Sequence, residues 1–222
     1  MSMSPSMLTL KITSNTFSYR NPLFLTSAPS ILVVPPSAIY GLFAAIIGKG
    51  CNDVLENRKI IKRDVQDKIN NLRIFYPVSF SGENIKIMNV VSFGISRFNA
   101  DKEKWGKSWN TPMTYTYVLN LEMFVRVECS NELATELEKR VENSESVFTP
   151  YVGSSENLVK EISLVEEEEI RTRDIIEMKE ISSISEIEEN DVILHLGYLP
   201  AGYDDEGNWI KKRYALVKTK WL

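Results

Sequence analysis

A polar stretch at residues 97–112, RFNADKEKWGKSWNTP, alternates cationic and aromatic side chains. Cations can neutralise phosphate groups, and tryptophan faces can stack on unpaired bases at about 1–3 kcal/mol per base. The two residue types together on one polar stretch favour single-stranded RNA over duplex DNA as a ligand. The alternative is a solvated loop whose tryptophans pack against the protein's own core. The residues that would carry the RNA chemistry are Arg97, Lys102, Lys104, Trp105, Lys107 and Trp109.

The net charge of −4 is an average over two unlike halves of the chain. Residues 1–113 contain 14 Lys and Arg against 7 Asp and Glu, whereas residues 114–222 contain 12 against 23. This asymmetry predicts a surface for a polyanion in the first half. Within the second half, residues 161–191 hold 12 acidic and 3 basic residues. That acidic segment is either a solvated face or a surface that docks on a basic partner protein.

Side chains for catalysis or metal binding are sparse. His195 is the single histidine, and its apolar context predicts a half-buried strand residue rather than a catalytic one. One histidine with Cys51 and Cys129 cannot supply a four-ligand zinc site. Neither a phosphate-binding G-x-x-x-x-G-K-[ST] loop nor a G-x-S-x-G elbow is present. The sequence therefore predicts no cofactor and no metal, and no local motif argues for an enzyme.

No segment of the sequence predicts targeting or membrane insertion. The first residues lack the charged and long apolar regions of a secretory signal. The apolar run at 38–47 is about half as long as a bilayer-spanning helix. With two cysteines expected to be free thiols, these features predict a soluble, cytoplasmic protein.

The spacing of apolar residues predicts strands that alternate with helices. Helices are expected from Ser37 to Gly48, where nearly every residue is apolar, and at 58–70 and 131–141, the last capped by residue 130 or 131. This order predicts an α+β fold with helices on one face of a sheet, such as a ferredoxin-like unit with a β extension. Strands are expected at 7–12, 72–80, 85–95 and 115–129, the last with a bulge at Met123–Phe124, and in a C-terminal hairpin at 192–198 and 209–219.

Two segments carry a family resemblance. Residues 17–48, FSYRNPLFLTSAPSILVVPPSAIYGLFAAIIG, combine an aromatic-Arg element, a short loop and a Pro-Pro-initiated apolar helix that ends at glycine. This stretch closely resembles the start of the CRISPR-associated Cas-five family. Residues 150–157, PYVGSSEN, resemble the aromatic-apolar-Gly-polar turn that those proteins carry after their second helix.

The resemblance implies a repeat-associated mysterious protein (RAMP) fold. This is a ferredoxin-like, RRM-related domain, here residues 1–150, with a protruding β-hairpin thumb at about 97–112 and a smaller β-rich C-terminal part at 151–222. It also implies an RNA-binding subunit of a type I Cascade-type effector complex in antiviral defence. Such a subunit holds the 5′ handle of the CRISPR guide RNA, caps the backbone filament, contacts the backbone and large subunits, and meets target DNA only through the complex.

The resemblance also implies individual RNA contacts. Tyr19 and Arg20 match the aromatic-Arg element, and Arg20 would pair with a handle phosphate. Ser37 would donate to a phosphate at the helix start, or would simply cap the helix. Gly153 would bring backbone amides near the handle, or would form a plain turn.

One branch of the family cuts precursor RNA with a Tyr, a Lys and a His. No histidine occurs in the first 194 residues, so that set cannot form in the N-terminal domain. The glycine-rich C-terminal loop of several RAMP relatives is also missing in obvious form. A non-catalytic handle binder is therefore the leading hypothesis. The alternatives are a metal-independent endoribonuclease that processes CRISPR repeat RNA and an assembly protein that bridges subunits without touching RNA.

Overall fold

The computed structural model describes residues 5–19, 27–28, 30–49, 64–80, 83–93, 109–153, 157–182, 192–206 and 208–219. Helices and strands both occur, so the predicted mixed fold is confirmed. In chain order the elements are β1 (Ser6–Phe17), β2 (Ser27–Ala28), α1 (Pro36–Ile47), β3 (Ile69–Pro77), β4 (Asn84–Phe93), β5 (Trp109–Cys129), α2 (Asn131–Glu142), β6 (Glu161–Leu164), α3 (Glu167–Arg171), β7 (Ile175–Glu180), β8 (Val192–Tyr203) and β9 (Trp209–Lys218).

The described strands form one nine-stranded sheet around β5. Its order is β6-β1-β5-β3-β7-β9-β8, and β2 and β4 pair with β5 off this path. All the pairings are antiparallel except that of β2 with β5. If β2 and β4 are left aside, the chain runs β-α-β-β-α-β through β1, α1, β3, β5, α2 and β6. This is the element order of a ferredoxin-like unit, and the ferredoxin-like fold stays a prediction. Strands from both sides of residue 150 share this sheet, and the proposed division there also stays a prediction.

Helix α1 is buried because almost every residue along it is apolar. Ile39, Phe43 and Ile46 are at most 1% exposed and belong to the main core. The helix ends at Gly48, whose φ of 77° is a left-handed conformation that glycine adopts without steric cost. Pro35 occupies the cap position without a side-chain cap bond, so the alternative that Ser37 caps the helix is wrong.

Helix α2 forms as its sequence predicts. The Ser130 hydroxyl accepts a hydrogen bond from the Leu133 N–H at 3.4 Å, which satisfies one otherwise unpaired amide at the helix start. Leu133, Leu137 and Val141 lie on one face and are buried in the main core. The predicted helix and its cap are therefore confirmed.

The predicted helix at 58–70 is wrong at its C-terminal end. Residues 64–66 are helical, but the Lys68 N–H bonds to the Val65 carbonyl in a turn, and β3 begins at Ile69. Ile69 then lies opposite Cys129 in the sheet. Pairing with β5 thus overrides the helical spacing of these apolar residues, while residues 58–63 lie outside the described part of the chain.

The predicted bulge at Met123–Phe124 is also wrong. These residues pair with Ile12 and Lys11 of β1 without a register shift. Met123 is buried in the main core, whereas Phe124 is buried in a second cluster with residues of β3, α3 and β7. Two adjacent apolar residues occur here because β5 is covered on both faces.

Candidate nucleic-acid interface

The end of β1 meets the turn at 150–157. Ser18 forms a parallel bridge with Gly153, and the Ser18 N–H donates to the Val152 carbonyl at 3.5 Å. Gly153 has a φ of 98°, and a Cβ there would overlap the Ser18 carbonyl oxygen. Only glycine allows this approach, because any side chain would collide with the backbone of β1. The structure thus joins two segments that the family resemblance treats separately.

Hydrogen bonds from polar side chains fix this turn against β1. The Thr16 hydroxyl donates to Asn157 Oδ1 at 2.7 Å, and the Ser14 hydroxyl donates to the Leu158 carbonyl at 2.8 Å. The Val152 N–H donates to the Asn157 carbonyl at 2.9 Å and closes the turn. Asn157 is 1% exposed, so this polar residue is a structural part of the junction. Asn157 is not among the predicted site residues, because a lone Asn in a turn that contains serines gives no strong signal.

Tyr19 is anchored at the same junction. Its N–H donates to the Ser30 hydroxyl at 3.0 Å, and its carbonyl accepts from the Ile31 N–H at 2.9 Å. Burial raises the pKa of the Tyr19 hydroxyl, as does the nearby Tyr76, and a hydrogen bond with the Gly153 backbone partly opposes that rise. The side chain is therefore a neutral link between the aromatic-Arg element and the turn.

Helix α1 ends beside the same region. The Val147 N–H donates to the Ile46 carbonyl at 3.2 Å, and the Phe148 N–H donates to the Ala45 carbonyl at 3.1 Å. The chain after α2 thereby satisfies carbonyls that the last turn of α1 would leave unpaired. Three segments that are distant in sequence are therefore held together: the end of β1, the end of α1 and the turn at 150–157.

A long hairpin carries the predicted thumb. β4 pairs with the first half of β5 from Asn84 opposite Val118 to Phe93 opposite Trp109, without a register shift. Ten residues of strand span roughly 30 Å. The second half of β5 instead pairs with β1 and β3 in the main sheet. Residues 94–108, which connect the two arms in sequence, lie outside the described part of the chain.

The four predicted RNA-binding residues that the structure describes lie in three places. Tyr19 and Gly153 meet at the junction, and Trp109 begins β5 at the far end of the hairpin. Ser37 lies in the first turn of α1 and is 2% exposed, so its hydroxyl could reach a phosphate only if neighbouring residues moved. The remaining six lie outside the described residues: Arg20, Arg97, Lys102, Lys104, Trp105 and Lys107.

Four acidic residues of the described part of the acidic segment form ion pairs with the chain's own arginines or lysines. Arg73 binds Glu177 through two hydrogen bonds of 2.7 and 2.8 Å, and this interaction raises the arginine pKa. Hydrogen bonding from Arg171 lowers the pKa of Glu167. Glu161, Glu166 and Glu168 are exposed, and whether this segment is a solvated face or a docking surface stays a prediction. Further ion pairs join Arg126 to Glu167, Arg173 to Glu122 and Glu169, and Lys212 to Glu180.

His195 lies on β8 as predicted, but the prediction that it is half-buried is wrong. β8 is at the end of the described sheet, and residues 193–195 are all exposed there.

Within the described ranges, no group of three or more His, Cys, Asp or Glu side chains could hold a metal ion. In the same part of the chain, no helix has the length and apolar character needed to cross a membrane.

Comparison with known proteins gives a match to a family model and matches to solved structures. The family model, described as "CRISPR-associated protein (Cas_Cas5)", matches residues 7–211. A structure named "CRISPR RNA-guided surveillance complex" has a TM-score of 0.58 and 13% identity, covering 96% of this chain and 90% of that one. The functionally uncharacterized protein SMU1763c from Streptococcus mutans has a TM-score of 0.50 and 11% identity, with coverages of 98% and 94%. No curated protein matches. At such low identity, the structural likeness shows a shared fold.

Proposed function

Because this chain belongs to the CRISPR-associated Cas5 family, we propose that it is a non-catalytic, RNA-binding subunit of a type I Cascade-type effector complex. In this proposal it holds the 5′ handle of the CRISPR guide RNA and caps the backbone filament in antiviral defence. Its protein partners are the backbone subunit and the large subunit, and it acts in the cytoplasm. Target DNA is reached only through the assembled complex.

The β4–β5 hairpin is the observation that carries this proposal. Its paired arms contain a single charged residue, Lys86, whereas the connection at 94–108 contains four cations and two acids. The cations of this hairpin are therefore concentrated in the segment that links its two arms in sequence. A phosphate backbone would be bound there by cations and its bases by Trp105 and Trp109, at about 1–3 kcal/mol for each stacked base.

The junction of β1 with the turn at 150–157 supports a second contact. Tyr19 is fixed beside Gly153, and Arg20 follows it directly in the chain. A guanidinium at that position would pair with a handle phosphate through two parallel hydrogen bonds. In this view Tyr19 and Gly153 position Arg20, and the Tyr19 side chain itself does not touch RNA.

A binding measurement tests the proposal. The purified protein, mixed with its backbone subunit, is titrated with handle-containing RNA and with a scrambled strand of the same length. We expect tighter binding of the handle. We also expect the variant K102A/K104A/K107A to reduce the magnitude of the slope of log K against log salt by about 2, since each phosphate contact on a single strand contributes about 0.7.

The matched control is K139A/K179A/K218A, which removes three exposed lysines from α2, β7 and β9. It should leave the handle preference unchanged. Equal binding of handle and scrambled RNA by the unmodified protein would contradict the proposed function. Repeat RNA incubated in EDTA is analysed in the same experiment, and a defined cleavage product would replace the non-catalytic assignment by a metal-independent endoribonuclease.

A further inference from the structure

The outer face of the C-terminal hairpin is a second cationic and aromatic surface. β8 pairs with β9 along its length, with Tyr198 opposite Arg213 and Tyr203 opposite Trp209. On the other face, Tyr214 and Leu216 of β9 are buried in the main core, and β8 contacts α1. Because successive side chains of a strand point to opposite faces, Trp209, Lys211 and Arg213 point away from that core. Farther along the same face, Ala215 and Val217 are buried in a smaller cluster with Ile181.

Large aromatic rings are exposed on this outer face. The Tyr198 side chain is 64% exposed and that of Trp209 is 48% exposed. The Trp209 ring packs on Tyr203, with ring centroids 4.6 Å apart, so its position is fixed by a buried neighbour. Exposed aromatic rings held in this way can offer a stacking surface with little further loss of side-chain entropy.

Cations alternate with these rings. The Arg213 guanidinium lies 5.1 Å from the centre of the Tyr198 ring and donates to its hydroxyl at 3.3 Å. Lys211 is exposed and lies between Trp209 and Arg213 on the same face of β9. Successive residues on one face of a strand are about 7 Å apart. The sequence Trp-Lys-Arg at every second position thus becomes a straight row of ring, ammonium and guanidinium.

The charge of the hairpin differs from that of the surrounding half of the chain. Neither β8 nor β9 contains an acidic residue, although residues 114–222 hold 23 Asp and Glu. The acidic groups lie in the connecting turn, where Asp204 accepts hydrogen bonds from the backbone N–H groups of Glu206 and Asn208. A polyanion would therefore lie along the part of the hairpin from Trp209 to Arg213, away from the turn.

We propose that the outer face formed by Tyr198, Trp209, Lys211 and Arg213 binds a single-stranded polynucleotide. The Lys211 and Arg213 side chains would contact phosphates, and bases would stack on Trp209 and on the Arg213–Tyr198 pair. A single-stranded polynucleotide fits both groups of this face, because its phosphates pair with the cations and its unpaired bases stack on the rings. The proposal does not depend on the β4–β5 hairpin, so it stands apart from the proposed handle function.

Binding of a fluorescent 20-residue oligo-U and a 20-residue oligo-dT to the full-length protein tests this site. The measurements use the K102A/K104A/K107A background, so that the connection of the other hairpin does not mask the result. K211A/R213A should reduce the magnitude of the slope of log K against log salt by about 1.4 for the preferred strand, at about 0.7 per phosphate contact. Tyr198→Ala should weaken binding at least about fivefold. Preference for oligo-U indicates RNA as the ligand, and preference for oligo-dT indicates DNA.

The matched control is K212A/K218A, which removes the same charge from the same strand on its opposite face. It should bind like the background protein, and the melting temperatures of all variants should agree because the changed residues are exposed or partly exposed. Equal affinities of K211A/R213A and K212A/K218A for both oligonucleotides would overturn the proposal and assign this face to a protein partner. Loss of handle preference with a retained effect of K211A/R213A would instead refute only the proposed function.

Discussion

The two hairpins of this protein place charge in opposite ways. In the β4–β5 hairpin the paired arms are almost uncharged, and the cations lie in the connection at 94–108. In the β8–β9 hairpin the connection is acidic, and the cations lie along one arm, β9. An extended arm with a charged tip is suited to reach a ligand at a distance. A charged strand face backed by the core is suited to hold a chain laid along it.

The hairpins also differ in how much of the core they supply. β9 buries Tyr214 and Leu216 in the main core, whereas Ile85 and Ile87 on β4 are 41% and 47% exposed. Burial of a large apolar side chain contributes about 1.5–3 kcal/mol, so the C-terminal hairpin is part of the stability of the whole fold. The β4–β5 arm can change sequence at far lower cost.

The largest expected effect comes from breaking this difference in burial. Leu216→Ala removes a 4% exposed side chain from the main core and should lower the free energy of unfolding by about 2–5 kcal/mol, measured by urea denaturation. The matched change in the other hairpin, Ile87→Ala, should cost less than about 0.5 kcal/mol. Equal losses from the two variants would show that the hairpins do not differ in their packing against the core.

A combination of charge changes tests whether the hairpins act as separate surfaces. The variant that combines K102A/K104A/K107A with K211A/R213A should reduce the magnitude of the slope of log K against log salt for oligo-U by about 3.5. This is the full additive effect of five contacts. The measurement is fluorescence anisotropy between 50 and 200 mM salt, a range in which the counterion effect is large. If the slope of the combined variant equals that of the triple variant in magnitude, one surface dominates binding.

The smallest effect concerns alkaline stability of the C-terminal hairpin. Burial raises the pKa of Tyr203 from 10.0 to about 12, so the unfolded chain loses this proton first as pH rises. The stabilising contribution is complete below pH 10 and is lost between about pH 10 and 12. Tyr203→Phe should therefore make the unfolding free energy fall less steeply over that range, although buried Tyr19, Tyr76 and Tyr214 also contribute. Identical pH profiles for the two proteins would contradict this assignment.

Several elements were predictable because local chemistry specifies them. The Pro-Pro start and glycine end delimit α1, the Ser130 cap begins α2, and the acidic Gly-Asn turn separates β8 from β9. The family resemblance carried by residues 17–48 and 150–157 is confirmed by the match over residues 7–211. These features depend on short sequences whose meaning does not change with distant contacts.

Other predictions failed where distant contacts decide the structure. Ile69 fits a helical stripe, but its pairing opposite Cys129 places it in a strand. Met123 and Phe124 suggest a bulge, but α3 and β7 supply a second apolar cluster that buries the opposite face of β5. His195 has apolar neighbours in sequence, yet β8 lies at the end of the described sheet and leaves it exposed.

The sequence by itself determined the family, the mixed fold, and the polar stretch in which cations alternate with tryptophans. Those features follow from residue type and short-range spacing, which persist in any conformation of the chain. Only the tertiary structure placed Gly153 against Ser18, paired the acidic segment with arginines of the sheet, and aligned Tyr198 with Arg213. Such contacts join residues far apart in the chain, and strand register, rather than sequence spacing, determines which side chains meet.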